Sequence, residues 1–124
     1  GKVVSVTANT CEVVLILDSE GQVSGEVRQS EGSASTGVVI GNYERGPVGA
    51  KGTLKMTVPK DDKVNPGDLV LTSGLGGVYP QNIPVGTVKE VTMEQGGLLK
   101  TATITPAVQF DRLEEVFVVL KGGK

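Results

Sequence analysis

Leu54-Lys55-Met56-Thr57-Val58-Pro59 reads apolar, polar, apolar, polar, apolar, stop. A period of two puts Leu54, Met56 and Val58 on one side of an extended chain and Lys55 and Thr57 on the other. Pro59 ends the strand, because it has no amide hydrogen to give to a ladder. The same alternation returns at Leu98–Thr105, where Ala102 and Ile104 share one face and Thr101, Thr103 and Thr105 the other. Glu94-Gln95-Gly96-Gly97 just before it is a hairpin turn signal. Val85–Met93 before that turn is extended, with imperfect alternation.

Working outward, short β-branched runs and turn chemistry keep alternating. Lys2–Thr7 reads as a strand. Glu12–Leu17 is a continuous apolar run, short enough to be a strand buried on both faces. Val23–Arg28 is a strand interrupted by Gly25, the pattern of a bulge. Ser30–Gly37 is a polar loop, and Val38-Val39-Ile40 a short strand. Gly46–Gly52 is too rich in Gly and Pro for a regular element, so the Ser30–Gly52 region is expected to hold a boundary between lobes. Asp68–Thr72 is a strand between two glycine turns. Asp111-Arg112-Leu113-Glu114 has the spacing of a capping box for one helical turn, and Val116–Leu120 reads again as strand. About nine short strands and no long helix predict an all-β barrel or sandwich.

The bulk numbers agree. The chain has 124 residues, 38% hydrophobic and 21% charged, with 18 glycines. It is long enough to bury a real core, and its Gly, Val and Thr favour tight turns over helices. Net charge is −2, no basic stretch is present, and aromatics are 3% (Tyr43, Tyr79, Phe110 and Phe117). Single-stranded nucleic acid needs a basic groove and stacking rings, so nucleic acid is not an expected partner. Cys11 is the single cysteine, which excludes an intramolecular disulfide. Its place before an apolar run predicts a packed, inert thiol. No apolar run reaches the roughly 20 residues a membrane helix needs. A chain that opens at Gly1-Lys2-Val3-Val4 is expected to be a segment of a longer protein.

Catalysis lacks its parts. Histidine is absent, which removes the usual general base and the commonest metal ligand. Ser73, in Thr72-Ser73-Gly74-Leu75-Gly76-Gly77, sits on a tight turn but has no base placed to activate it. Asp61, Asp62 and Asp68 surround Lys63-Val64-Asn65-Pro66-Gly67, and Lys63 and Pro66 spoil the alternate spacing of a calcium loop. Glu114 and Glu115 are adjacent, so on a strand they face opposite ways. Gly74-Leu75-Gly76-Gly77 is not a phosphate cradle, because Pro80 and Pro84 follow where a helix would have to start. No catalytic, cofactor-binding or metal residues are assigned, and no cofactor is expected.

The most distinctive stretch is Val64–Gly86. It runs strand, Gly-rich turn, an apolar Val78-Tyr79-Pro80 tip, a Pro-fixed corner, then strand. Prolines at 80 and 84 lower the entropy of the unfolded loop, so it can stay ordered while exposing side chains. Two readings of the tip stand side by side. In one, Val78, Tyr79, Pro80 and Ile83 form a protein-contact loop; in the other, Tyr79 and Ile83 plug the end of a barrel.

This stretch resembles the extracytoplasmic β region of the bacterial rod shape-determining MreC family. The resemblance rests on Gly67-Asp68-Leu69-Val70, Thr72-Ser73-Gly74-Leu75-Gly76-Gly77, Tyr79-Pro80 and Ile83-Pro84-Val85-Gly86. Gly1–Val4 with Val13–Asp18, and Pro106–Val116, support it at the two ends. Asn82 stands where the family usually has glycine, and Asn tolerates the left-handed backbone such a turn needs. Gln109 replaces a common acidic residue. The resemblance implies two small β-barrels arranged as in chymotrypsin-type proteases, without catalytic residues. It assigns a second-lobe core to 37–105, with 1–36 and 106–124 belonging mainly to a truncated first lobe. It gives Gly67, Asp68, Ser73, Gly74, Gly76, Gly77, Pro84 and Gly86 structural roles.

The implied function is a non-catalytic scaffold of cell elongation on the extracytoplasmic face of the cytoplasmic membrane, anchored by an N-terminal helix outside this segment. The implied partners are further copies of itself, as dimers or filaments, MreD and the MreB complex, and penicillin-binding protein and RodA-type synthases. The alternative class is a generic β-barrel binding module for glycan or nucleic acid, against which the acidic balance and few aromatics count.

Overall fold

A computed structural model describes residues 1–18, 21–28, 35–46, 49–94, 96–109 and 113–120. Eight strands lie among them and no helix: β1 (Lys2–Val6), β2 (Cys11–Val14), β3 (Val23–Arg28), β4 (Ser35–Gly46), β5 (Gly49–Pro59), β6 (Leu69–Thr72), β7 (Pro84–Met93) and β8 (Leu99–Pro106). β1 and β2 pair only with each other, and the other six close a barrel in the order β3-β4-β5-β8-β7-β6. The barrel is two three-stranded meanders, β3-β4-β5 and β6-β7-β8. They are joined along two seams, β3 against β6 and β5 against β8, and every pairing is antiparallel.

The period-two reading holds where it was sharpest. Leu54, Met56 and Val58 are all fully buried, as are Ala102 and, within 1%, Ile104. In register, Leu54 faces Ile104 and Met56 faces Ala102 across the β5–β8 seam. Val23, Val27, Val39, Val70 and Val88 complete the inner face. The imperfect alternation of β7 is a bulge between Val88 and Glu90, which restores the inward direction at Val91. The Glu94–Leu99 turn closes as expected, with Glu94 N donating to Leu99 O at 2.8 Å and left-handed glycines at Gly96 and Gly97.

The barrel takes in β3, and its strands run from Val23 to Pro106. Gly25 is no bulge: it pairs in regular register with Gly37 and Thr72. A Cβ there would lie 2.8 Å from Val39 Cγ2, so the glycine serves close packing inside the barrel. The described residues of Gly46–Gly52, 46 and 49–52, are strand rather than irregular. β4 and β5 stay paired from Asn42 with Thr53 to Gly46 with Gly49, because the two strands of this arm satisfy each other's backbone groups beyond the other staves. Among its described residues, Ser30–Gly52 holds all of β4 and the start of β5.

The run Glu12–Leu17 is strand only as far as Val14, and Leu15–Asp18 turns, with Asp18 N donating to Leu15 O at 3.0 Å. Cys11 is exposed rather than packed, because no described element covers the β1–β2 sheet; Val6 and Val13 beside it are exposed as well. Val116–Leu120 forms no strand and pairs with nothing among the described residues, and Phe117 is fully exposed. The capping-box positions Asp111 and Arg112, with Phe110, lie outside the described residues.

Candidate functional site

The Val64–Gly86 stretch builds one end of the barrel wall and the loop above it. Gly67 enters β6 with a left-handed φ of 96°, and its amide donates to Val88 O at 2.8 Å. Asp68 fixes the same turn: its Oδ2 accepts the Asn65 amide at 2.9 Å, and its carbonyl accepts Val88 N at 2.9 Å. A carboxylate reaching its neighbours' backbone in this way is turn chemistry. At the far end of the pair, register shifts between Val70 and Leu71, so Pro84 faces Leu71 and Gly86 faces Val70. The extra residue, Val85, turns into the core at 4% exposure. Gly86 runs against the Thr105 backbone, where a side chain has no room.

Between Thr72 and Pro84 the chain leaves the sheet. Gly74, Gly76 and Gly77 are left-handed, at φ of 81°, 84° and 70°, and Asn82 follows them at 70°. The Asn82 value is the one expected from its standing in for glycine. The loop is clamped at its base by Thr72, which is 3% exposed. Thr72 N donates to Ile83 O at 2.8 Å and Thr72 O accepts Asn82 N at 2.9 Å. The hydroxyl donates to Pro80 O at 2.5 Å and accepts Ile83 N at 2.8 Å. Ser73 pins the other arm: its amide donates to Ser24 O at 2.9 Å and its hydroxyl donates to Ser24 Oγ at 2.7 Å. Ser73 also accepts Leu75 N at 3.2 Å. With its hydroxyl engaged to Ser24 and a backbone amide, Ser73 is a staple of the loop.

The four candidate contact residues divide. Val78 is 57% exposed and Ile83 38%, and Pro80 is exposed beside them. Leu75, not singled out from sequence, is the most exposed apolar side chain of the loop at 63%. Tyr79 turns the other way and packs its ring against the barrel core. Its hydroxyl is buried with no hydrogen-bond partner among the described residues, and burial raises its pKa above the usual 10.0. Thr72, Ser24 and Arg28, whose Nη2 donates to Asn82 Oδ1 at 2.8 Å, were not foreseen. Ser24 and Arg28 act across 49 and 54 residues of sequence, which leaves no local pattern, and Thr72 closes its own loop over 8 and 11 residues.

The acidic residues near Val64 have structural work. Asp62 Oδ2 accepts the Ser35 hydroxyl at 2.6 Å, and Asp62 O accepts Lys100 Nζ at 2.5 Å. Among the described residues, no three His, Cys, Asp or Glu side chains gather to hold a metal ion.

The family model for the rod shape-determining protein MreC, barrel core, matches residues 1–120. The cell shape-determining protein MreC of Geobacillus stearothermophilus is 35% identical over 126 residues, which take in 96% of this chain and 42% of that protein. MreC of Listeria monocytogenes is 31% identical, over 100% of this chain and 41% of its own length. The chain thus spans about two fifths of the curated relatives it matches. A solved MreC structure from Listeria monocytogenes superposes with a TM-score of 0.73 at 33% identity, covering 88% of this chain and 50% of that one. Another, described as the major periplasmic domain from the cell shape-determining filament MreC, gives 0.67 at 25% identity, over 87% of this chain and 63% of that one. With the closed barrel, its clamped loop and the β1–β2 sheet all inside the matched span, the chain belongs to the rod shape-determining MreC family.

Proposed function

We propose that this chain is a non-catalytic scaffold of the bacterial elongation machinery, working on the extracytoplasmic face of the cytoplasmic membrane. In this reading it associates with further copies of itself. It also joins the MreB and MreD side of the rod complex to penicillin-binding protein and RodA-type synthases. The family match supports the role in cell shape, and the relative described as a periplasmic domain of a filament supports the compartment and the self-association. The barrel is the second of two lobes, and β1, β2 and the 113–120 segment belong with the first.

The observation that carries a scaffold reading at the level of residues is the loop from Ser73 to Ile83. It exposes Leu75, Val78, Pro80 and Ile83 on a backbone fixed from below by Thr72 and Ser24. An apolar surface already ordered before binding loses little entropy on docking, which suits a protein-contact site. Tyr79 serves this surface as its root in the core, so the contact role falls to its neighbours.

The test uses full-length protein in cells depleted of their own copy. Leu75→Asp and Val78→Asp change exposed side chains and should leave folding within about 0.5 kcal/mol. Both are expected to reduce crosslinking to synthases or to a second copy and to fail to restore rod shape. Normal crosslinking and normal rods from both variants would remove the loop from the contact surface.

A further inference from the structure

Leu15-Ile16-Leu17 is too apolar for a connector between two sheets, and its side chains are partly or fully buried although Cys11–Val13 of β2 are exposed. Leu17 is 3% exposed and belongs to the barrel core, and Ile16 packs against the same cluster. The seat they occupy is made of two glycines. On β4, Gly41 faces Leu54, and on β5, Gly52 faces Tyr43, two residues along. Leu54 points inward, so both glycines lie on the inner face of the barrel wall, diagonal to each other.

Neither glycine is needed for its backbone freedom, since both sit in strands with ordinary φ. What they supply is empty space. A Cβ at Gly41 would overlap the backbone of Ile16 and Leu17, and one at Gly52 would lie 2.7 Å from Leu17 Cδ2. Gly21 closes the connector from behind, its amide donating to Asp18 O at 2.9 Å and its α-carbon lying against the Leu15 carbonyl.

We infer that Gly41 and Gly52 form a side-chain-free seat at the barrel mouth that keys the Ile16–Leu17 connector and holds the β1–β2 sheet at one fixed attitude to the barrel. Strand register places this seat at the same barrel end as the 73–83 loop. Val23 faces Val39, Gly25 faces Thr72, and Gly41 lies beyond Val39 on β4. The key therefore also fixes the distance from the β1–β2 sheet to that loop. This inference concerns the joint and stands whether or not the loop contacts a partner.

Cys11, exposed on β2 and the chain's single cysteine, provides one label position, and Thr57→Cys on the outer face of β5 provides the other. Spin labels at the two sites in the full-length protein are expected to give one narrow distance distribution. Gly41→Ala, which sets a methyl against backbone, should lose that single peak while hydrogen exchange at the Val58 and Val70 amides stays slow. Gly52→Ala meets chiefly the end of the Leu17 side chain, with the Asn42 carbonyl at 3.2 Å, and should broaden the peak less. If Gly41→Ala fails to fold, the comparison rests on Gly52→Ala and Leu17→Ala. A distribution already broad in the unaltered protein, or one still narrow in the folded seat variants, overturns the inference.

Discussion

Arg28 Nη2 donates to Asn82 Oδ1 at 2.8 Å, so the last residue of β3 reaches back along the outer face of the barrel to hold the corner of the 73–83 loop. The side chain passes Glu26, whose Oε1 lies 3.7 Å from the same nitrogen, and it is 46% exposed. Exposed pairs of this kind stabilise little, so Arg28→Ala should cost under about 1 kcal/mol in denaturant unfolding. Its effect should fall on the loop instead, as faster hydrogen exchange at Asn82 and Ile83 with the barrel amides unchanged.

Thr72→Val tests the clamp. Valine keeps the shape but leaves Pro80 O and Ile83 N without the hydroxyl that serves both. Leaving buried polar groups unpaired costs about 1–3 kcal/mol, and chemical denaturation should show a loss in that range. Thr72→Ser, which keeps the hydroxyl, should lose much less of the loop's protection from exchange.

Asn82 separates backbone from side chain. Asn82→Gly and Asn82→Ala both lose the bond to Arg28, but only alanine carries a Cβ that opposes the left-handed φ of 70°. The alanine variant should be less stable than the glycine variant by about 1 kcal/mol, measured as the difference between their unfolding free energies. Equal stabilities would mean that the loop relaxes out of the left-handed conformation.

Tyr79→Phe should leave stability unchanged or raise it by up to about 1 kcal/mol, since the hydroxyl it removes is buried without a partner among the described residues. The raised pKa gives a pH signature. Burial lifts the folded-state value above 10.0, so the contribution is complete below the unfolded value and is lost as pH rises through the folded one. Unfolding free energy should therefore fall more steeply above about pH 10 in the unaltered protein than in Tyr79→Phe.

The parts of the fold that were legible are those where one residue's neighbours in sequence decide its environment. Leu54, Met56 and Val58 alternate because β5 has one wet and one dry face, and Gly96-Gly97 marks a turn by backbone conformation alone. Legibility ended where a distant segment decides. Gly49–Gly52 is strand because β4 answers it residue for residue, against its own composition. Gly25 is glycine because Val39 lies over it, and the apolar Leu15–Leu17 is an anchor because the barrel wall is bare at Gly41 and Gly52. In the candidate site, the glycines, Asn82 and the prolines were readable as backbone chemistry. That Tyr79 turns inward while Leu75 turns out depends on the clamp at Thr72, which nothing adjacent announces.

The seam between β5 and β8 sets the order in which the chain can become a barrel. Until the ribosome has delivered Leu99–Pro106, the first five staves make at most an open sheet, β5-β4-β3-β6-β7, with β5 and β7 bare at its two edges. β8 answers both edges at once, pairing Leu54–Pro59 on one side and Gly86–Met93 on the other. Closure is thus deferred to the last stave, and a nascent chain halted before it carries two sticky margins that recruit other chains.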